Sequence, residues 1–111
     1  MDRKQLFDIV NALYPAHWIS QEAGECLAPY VVIKYKPQIP SIGNKLAGWQ
    51  YVDFMAYVPM ASILPLDDMI DEIKTELSKH MEMTGAITPD YVDVDVKAIM
   101  RSIEFRIPKQ L

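Results

Sequence analysis

The sequence predicts an α+β fold: two amphipathic helices packed on one face of a mostly antiparallel or mixed sheet, in the order α-β-β-β-α-β. Three observations predict it. Leu6 to Leu13 and Leu66 to Leu77 repeat apolar residues at helical spacing. Tyr30 to Lys36 and Ile99 to Ile107 alternate like half-buried strands. Between them, Trp49 to Val58 alternates as well, but is apolar on both sides.

Asp2 is placed to cap the first helix, with Gln5 three residues on. Leu6, Phe7, Val10 and Leu13 follow as its apolar stripe, with Ile9 beside them. Tyr14-Pro15 ends it, because a residue before proline is pushed out of the helical region. His17 to Ser20 reads as a short strand, and Gln21 to Ala28, with Gly24, as a loop. In the next strand Val31, Ile33 and Tyr35 share one side. Tyr30, Val32, Lys34 and Lys36 share the other. Pro37 to Lys45 holds two prolines and Gly43-Asn44, and reads as a loop reaching beyond the domain body.

The two-faced strand stops at Pro59. Val52, Phe54, Ala56 and Val58 lie on one face; Trp49, Tyr51, Met55 and Tyr57 lie on the other, interrupted by Asp53. A small domain has one core to fill, so the second aromatic face calls for another surface. Another copy of the chain is the favoured one, since aromatics and Met are enriched in subunit interfaces. The alternative is a second intramolecular core beneath the long loop. Leu66, Met69, Ile70, Ile73 and Leu77 form the stripe of the second helix. Asp67 and Asp68 begin that helix and Lys79 and His80 end it, as the helix dipole favours. Gly85 is the expected terminator. Thr88 to Asp95 reads as acidic and extended, and the last strand ends at Pro108.

The chain has 111 residues, half of them apolar, which fits one domain over 1–111 with a core of its own. A net charge of −4 argues against the basic footprint of a nucleic-acid reader. Cys26 is the only cysteine, so neither an internal disulfide nor a thiolate zinc site is expected. No signal peptide or membrane span is expected either.

Little in the sequence points to catalysis. His17 and His80 are the only histidines, and His80 lies within reach of Glu76. A Cys26 and His17 nucleophile is disfavoured by the acidic residues Glu22 and Glu25, which raise a thiol pKa. Asp90, Asp93 and Asp95 lack the glycine and closing glutamate of a calcium loop. There is no phosphate-binding or dinucleotide glycine pattern. No catalytic residue, metal or cofactor is expected.

The layout resembles the tail terminator proteins of long-tailed bacteriophages and phage-tail-like particles. An N-terminal helix precedes Pro29-Tyr30-Val31-Val32-Ile33; the Trp-containing strand closes in Tyr57-Val58-Pro59. A helix entry follows at Ser62 and Leu64-Pro65-Leu66-Asp67, and the last strand reads Ser102-Ile103-Glu104-Phe105-Arg106-Ile107. The resemblance spans nearly the whole chain, through order and polarity rather than a chemical signature. It implies a homo-oligomer, typically a hexameric ring, that sits on the tail tube protein and stops its polymerisation. It further implies joining to the head connector or stopper protein in the virion neck, after assembly in the bacterial host cytoplasm. DNA passes through the centre without specific binding. Trp49, Tyr51, Met55 and Tyr57 then become the expected subunit interface. Asp90, Asp93 and Asp95, or the Asp67, Asp68, Asp71 and Glu72 helix face, become the channel wall. Lys36, Asn44 and Lys45 become a loop contacting tube or neck. Two other functions fit the pattern: another neck protein (tail completion or head–tail joining), or a small dimeric ligand-binding domain with the aromatic face as its pocket.

Overall fold

The computed structural model describes residues 3–18, 26, 28–41, 44–61 and 64–110. The elements are α1 (Arg3–Leu13), β1 (Ala16–Trp18), β2 (Tyr30–Ser41), β3 (Asn44–Pro59), α2 (Leu64–Leu77), β4 (Glu82–Ile87), β5 (Tyr91–Asp93) and β6 (Ala98–Gln110). The sheet is ordered β1-β2-β3-β6-β4, and β5 also pairs with β6. The β1 and β2 pair is parallel, and the other pairs are antiparallel. This is the α+β architecture expected, with two short strands added after α2.

Cross-strand register assigns the two faces. Val31, Ala56 and Arg101 form one row, Ile33, Phe54 and Ile103 the next, and Tyr35, Val52 and Phe105 a third. All lie beneath the helices, where Leu6 and Val10 of α1 meet Leu66, Met69, Ile70, Ile73 and Leu77 of α2. Phe54 and Phe105 cross edge to face at 5.7 Å in the centre. Each such side chain, fully buried, stabilises the fold by about 1.5–3 kcal/mol. The helical spacing of one set and the strand spacing of the other therefore close the same core.

Local chemistry sets the element ends. The predicted cap Asp2 lies outside the described residues. Beyond α1, Asn11 Oδ1 accepts the Ala16 N–H at 3.0 Å and steers the chain into β1. β1 begins one residue earlier than predicted, at Ala16, and its predicted end at Ser20 lies outside the described residues, as does most of the Gln21 to Ala28 loop. α2 ends at Leu77, not near Gly85: the N–H groups of His80 and Met81 both turn back to the Leu77 carbonyl. Gly85 instead sits within β4 at φ +90°. There Thr84, Gly85 and Ala86 stand opposite the single residue Glu104, between the pairs Met83 with Phe105 and Ile87 with Ile103. Such a bulge needs a residue free to take positive φ, and glycine supplies it.

The predicted long loop is the largest departure. β2 runs on to Ser41 and β3 starts at Asn44, so the described residues of this segment form a β-ribbon. Pro37 does not prevent it, because a bulge between Tyr35 and Gln38 absorbs the residue that cannot donate. Gln50, 5 % exposed, closes the bulge by donating to the Lys36 carbonyl at 2.6 Å. β6 likewise continues through Pro108, paired with Trp49, to Gln110. The ribbon makes the molecule long, 48 × 25 × 25 Å.

Candidate subunit interface

The sheet face turned away from the helices has two unlike ends. At one end the chain covers itself. Cys26 donates its N–H to the Val96 carbonyl at 2.7 Å, which draws this residue onto the sheet. Cys26, Val32, Tyr57 and Ala98 are buried there as a second small core, with Tyr30, Met55, Val96 and Met100 packed around them. Tyr30 and Tyr57 stack at 4.9 Å, and His17 meets Tyr30 edge-on at 5.4 Å. Tyr57 is 7 % exposed, so it belongs to this chain's interior rather than to a subunit contact. Met55 is half-buried in the same cluster. The Cys26 thiol points to the Ala28 carbonyl, and burial pushes its pKa up, opposite to an activated nucleophile.

Farther along the same face the rings are covered by charge. The Arg106 guanidinium lies 4.0 Å over the Trp49 ring, hydrogen-bonds Tyr51 and donates to Glu82 at 2.7 Å. Trp49 and Tyr51 are thus half-covered by an arginine from the neighbouring strand. Between the two ends, Asp53 and Glu104 are direct cross-strand neighbours and share the Lys36 ammonium. Glu104 also accepts the Thr84 hydroxyl at 2.7 Å. The Lys36 hydrogen bond holds the Glu104 carboxyl below its usual range, whereas burial pushes Asp53 up. Lys36, expected in a contact loop, is occupied at the base of the ribbon; Asn44 and Lys45 lie at its far end.

The predicted acidic trio is divided among structural tasks. Asp90 accepts two hydrogen bonds from Arg101, at 2.5 and 2.9 Å, and Arg101 also reaches Asp67 at 2.9 Å. Asp93 accepts the Asp95 N–H at 3.1 Å in the turn between β5 and β6. Asp93 and Asp95 take part in no ion pair among the described residues. On the helix layer, Tyr14 donates to Glu72 at 2.9 Å; burial, then that bond, pushes the phenol to about 12. Asp68 and Asp71 remain exposed on α2. His80 stands 3.9 Å from Glu76, as its helical spacing implied. Among the described residues no three metal-ligating side chains converge, and no helix is long and apolar enough to cross a membrane.

The surplus apolar surface lies elsewhere, along the outer edge of β6. Met83, Ile87, Tyr91, Val92 and Val94 are all exposed, from 38 % for Met83 to 73 % for Val94. Met83, Ile87 and Val92 pair with Phe105, Ile103 and Ile99, and so project to the helix side of the sheet in one strip. The sequence carried a weak signal for this strip, the Tyr91-Val92-Asp93-Val94 alternation. It did not reveal that these side chains stay exposed. The chain matches no protein-family model and no curated protein.

Proposed function

We propose that this chain is a structural subunit of a ring that caps a phage-type tail tube, ends its polymerisation and joins it to the head connector. One observation carries the reading: five large apolar side chains stand exposed on a single sheet edge. A strip of that kind, rimmed by carboxylates, is the form of a subunit contact rather than of a solvated surface. The resemblance in element order supports the tail-terminator assignment over other neck proteins. We favour this edge over Trp49, Tyr51, Met55 and Tyr57 as the subunit contact, because Tyr57 is buried within the chain and the other three are half-buried, whereas the edge residues are exposed.

A ring through which DNA passes needs a wall that does not hold phosphates, and like charge provides it. α2 suits this task better than Asp90, Asp93 and Asp95. It carries Asp67, Asp68, Asp71, Glu72 and Glu76 against one lysine, Lys74. The reading includes no catalysis and no cofactor. The competing ligand-binding reading is less favoured, because Tyr57 of the aromatic face expected to line its pocket is stacked on Tyr30 within the chain.

The test is to add the purified chain to polymerising tail-tube protein and measure tube length by electron microscopy. Substoichiometric chain is expected to shorten the tubes and to appear as a terminal ring. Tubes of unchanged length with no chain at their ends overturn the assignment.

A further inference from the structure

Within the exposed strip, Met83 alone has a side chain that reacts readily with a peroxide. Ile87, Val92 and Val94 are hydrocarbon, and Tyr91 is a phenol that mild peroxide leaves intact. A thioether instead takes up one oxygen and becomes a polar, chiral sulfoxide.

The fold sorts the sulfur atoms by their access to such an oxidant. Met69 and Met81 are buried in the main core, and Met55 and Met100 are half-buried around the second one. Met1 lies outside the described residues. Met60 is 42 % exposed and Met83 is 38 % exposed. These two stand on different strands: Met60 follows β3 and donates its N–H to the Lys97 carbonyl, whereas Met83 pairs with Phe105 on the other side of β6. Cys26 is shielded, since it is buried and burial raises its pKa, which leaves little thiolate to react.

We propose that Met83 is a peroxide-sensitive modification site that controls association through the strip. The Met83 sulfur attacks one oxygen of hydrogen peroxide. An S–O bond forms as the O–O bond breaks, the proton on the transferred oxygen passes to the departing hydroxide, and water leaves. The sulfur loses the two electrons that the peroxide gains. The new oxygen needs a hydrogen-bond donor that an apolar contact does not offer, so the oxidised copy is kept out of the assembly. A copy already in contact keeps Met83 covered, so oxidation acts on free copies. This rests on the strip being the subunit contact of the ring reading, and adds how that contact is regulated.

The full chain is treated with dilute hydrogen peroxide without denaturant. Peptide mass spectrometry reads each sulfur, circular dichroism confirms the fold, and sedimentation velocity reads assembly, with and without tube protein. Met60 and Met83 are expected to oxidise before Met69, Met81 and Cys26. The oxidised chain is expected to stay folded and to associate about tenfold more weakly, the effect of burying one unpaired polar group. Met83→Leu, a volume-conserving change, is expected to assemble like wild type and to go on assembling after peroxide. Met60→Leu is expected to remain as sensitive as wild type. Methionine sulfoxide reductases are expected to restore assembly of the oxidised wild type. Met83 oxidising no faster than Met69 and Met81 overturns the site. Full Met83 oxidation with unchanged assembly, or Met83→Leu as sensitive as wild type, overturns its control of association; either result leaves the ring reading standing. An untreated wild-type chain that stays monomeric at every concentration, with and without tube protein, overturns the ring reading and this control together.

Discussion

The two faces of the sheet solve the same problem by different means. The helix-covered face is closed by aliphatic and aromatic side chains from six elements, with Phe54, Phe105, Ile33 and Ile103 fully buried. Among the described residues, no helix covers the opposite face. Cys26 and Val96 cover one end, while Arg106, Lys36 and their carboxylates lie over the rest. Apolar packing is non-directional and tolerates no loss of volume. A charged lattice is directional, depends on pH, and holds each group through one or two bonds. The same sheet therefore has one face whose stability follows volume and one whose stability follows protonation.

The largest effect separating the faces is expected for Phe54→Ala, a loss of about 3–5 kcal/mol in chemical denaturation, because nothing can fill the space beside Phe105. Tyr57→Ala, in the small second core, is expected to cost about 2–3 kcal/mol. If Tyr57→Ala leaves stability unchanged but weakens assembly, Tyr57 belongs to a contact and the division of the faces is wrong. Glu104→Gln is expected to cost about 1–2 kcal/mol at neutral pH, since it weakens the charge-assisted bond to Lys36.

Asp53→Asn is expected to be near neutral at pH 7, within about 1 kcal/mol, and to alter pH dependence instead. The sign follows from two opposed carboxyls. Glu104, held below its ordinary value of 4.5, supplies stability present above that value and lost as pH falls through its lowered one. Asp53, raised above 3.8, contributes the reverse, a gain as pH falls through its raised value. Removing Asp53 removes the gain, so the Asn variant is expected to lose stability more steeply than wild type between neutrality and pH 3. Urea titrations at several pH values give the comparison, and parallel curves for the two proteins would contradict it. The smallest effect is expected for Trp49→Ala, about 0.5–1 kcal/mol, because its ring is half-exposed beneath Arg106.

What the sequence made legible was whatever depends on periodicity. The α2 stripe, Leu6 and Val10 of the α1 stripe, and the inward set Val52, Phe54, Ala56 and Val58 are buried as their spacing required, while Phe7, Ile9 and Leu13 are half-buried. Segments held by partners far along the chain were not legible. The Pro37 to Lys45 stretch has the residues of a loop, yet pairing with β3 and the Gln50 side chain keep its residues up to Ser41 in the sheet. Lys36 meets Glu104 across 68 positions. Arg101 lies on the inward side of β6 and is neutralised by Asp67 and Asp90, so Asp90 left the acidic trio for a reason no local pattern carries. Tyr57 was grouped with Trp49 by strand alternation alone. What parted them was Cys26, brought over one end of the sheet by a single backbone bond to Val96.

If the chain assembles as proposed, the glycine kink in β4 bears on how it stays usable beforehand. A straight, greasy outer strand is a template on which identical chains stack without limit. Three residues bowed out against one interrupt that template halfway along. Neighbours must then be recognised by side chains at fixed heights, and runaway fibre growth has no continuous backbone to copy. Replacing Gly85 with Val would strain the kink through its positive φ, although the space around it is open. A chain that relaxed into a straight strand would trade a countable assembly for aggregation.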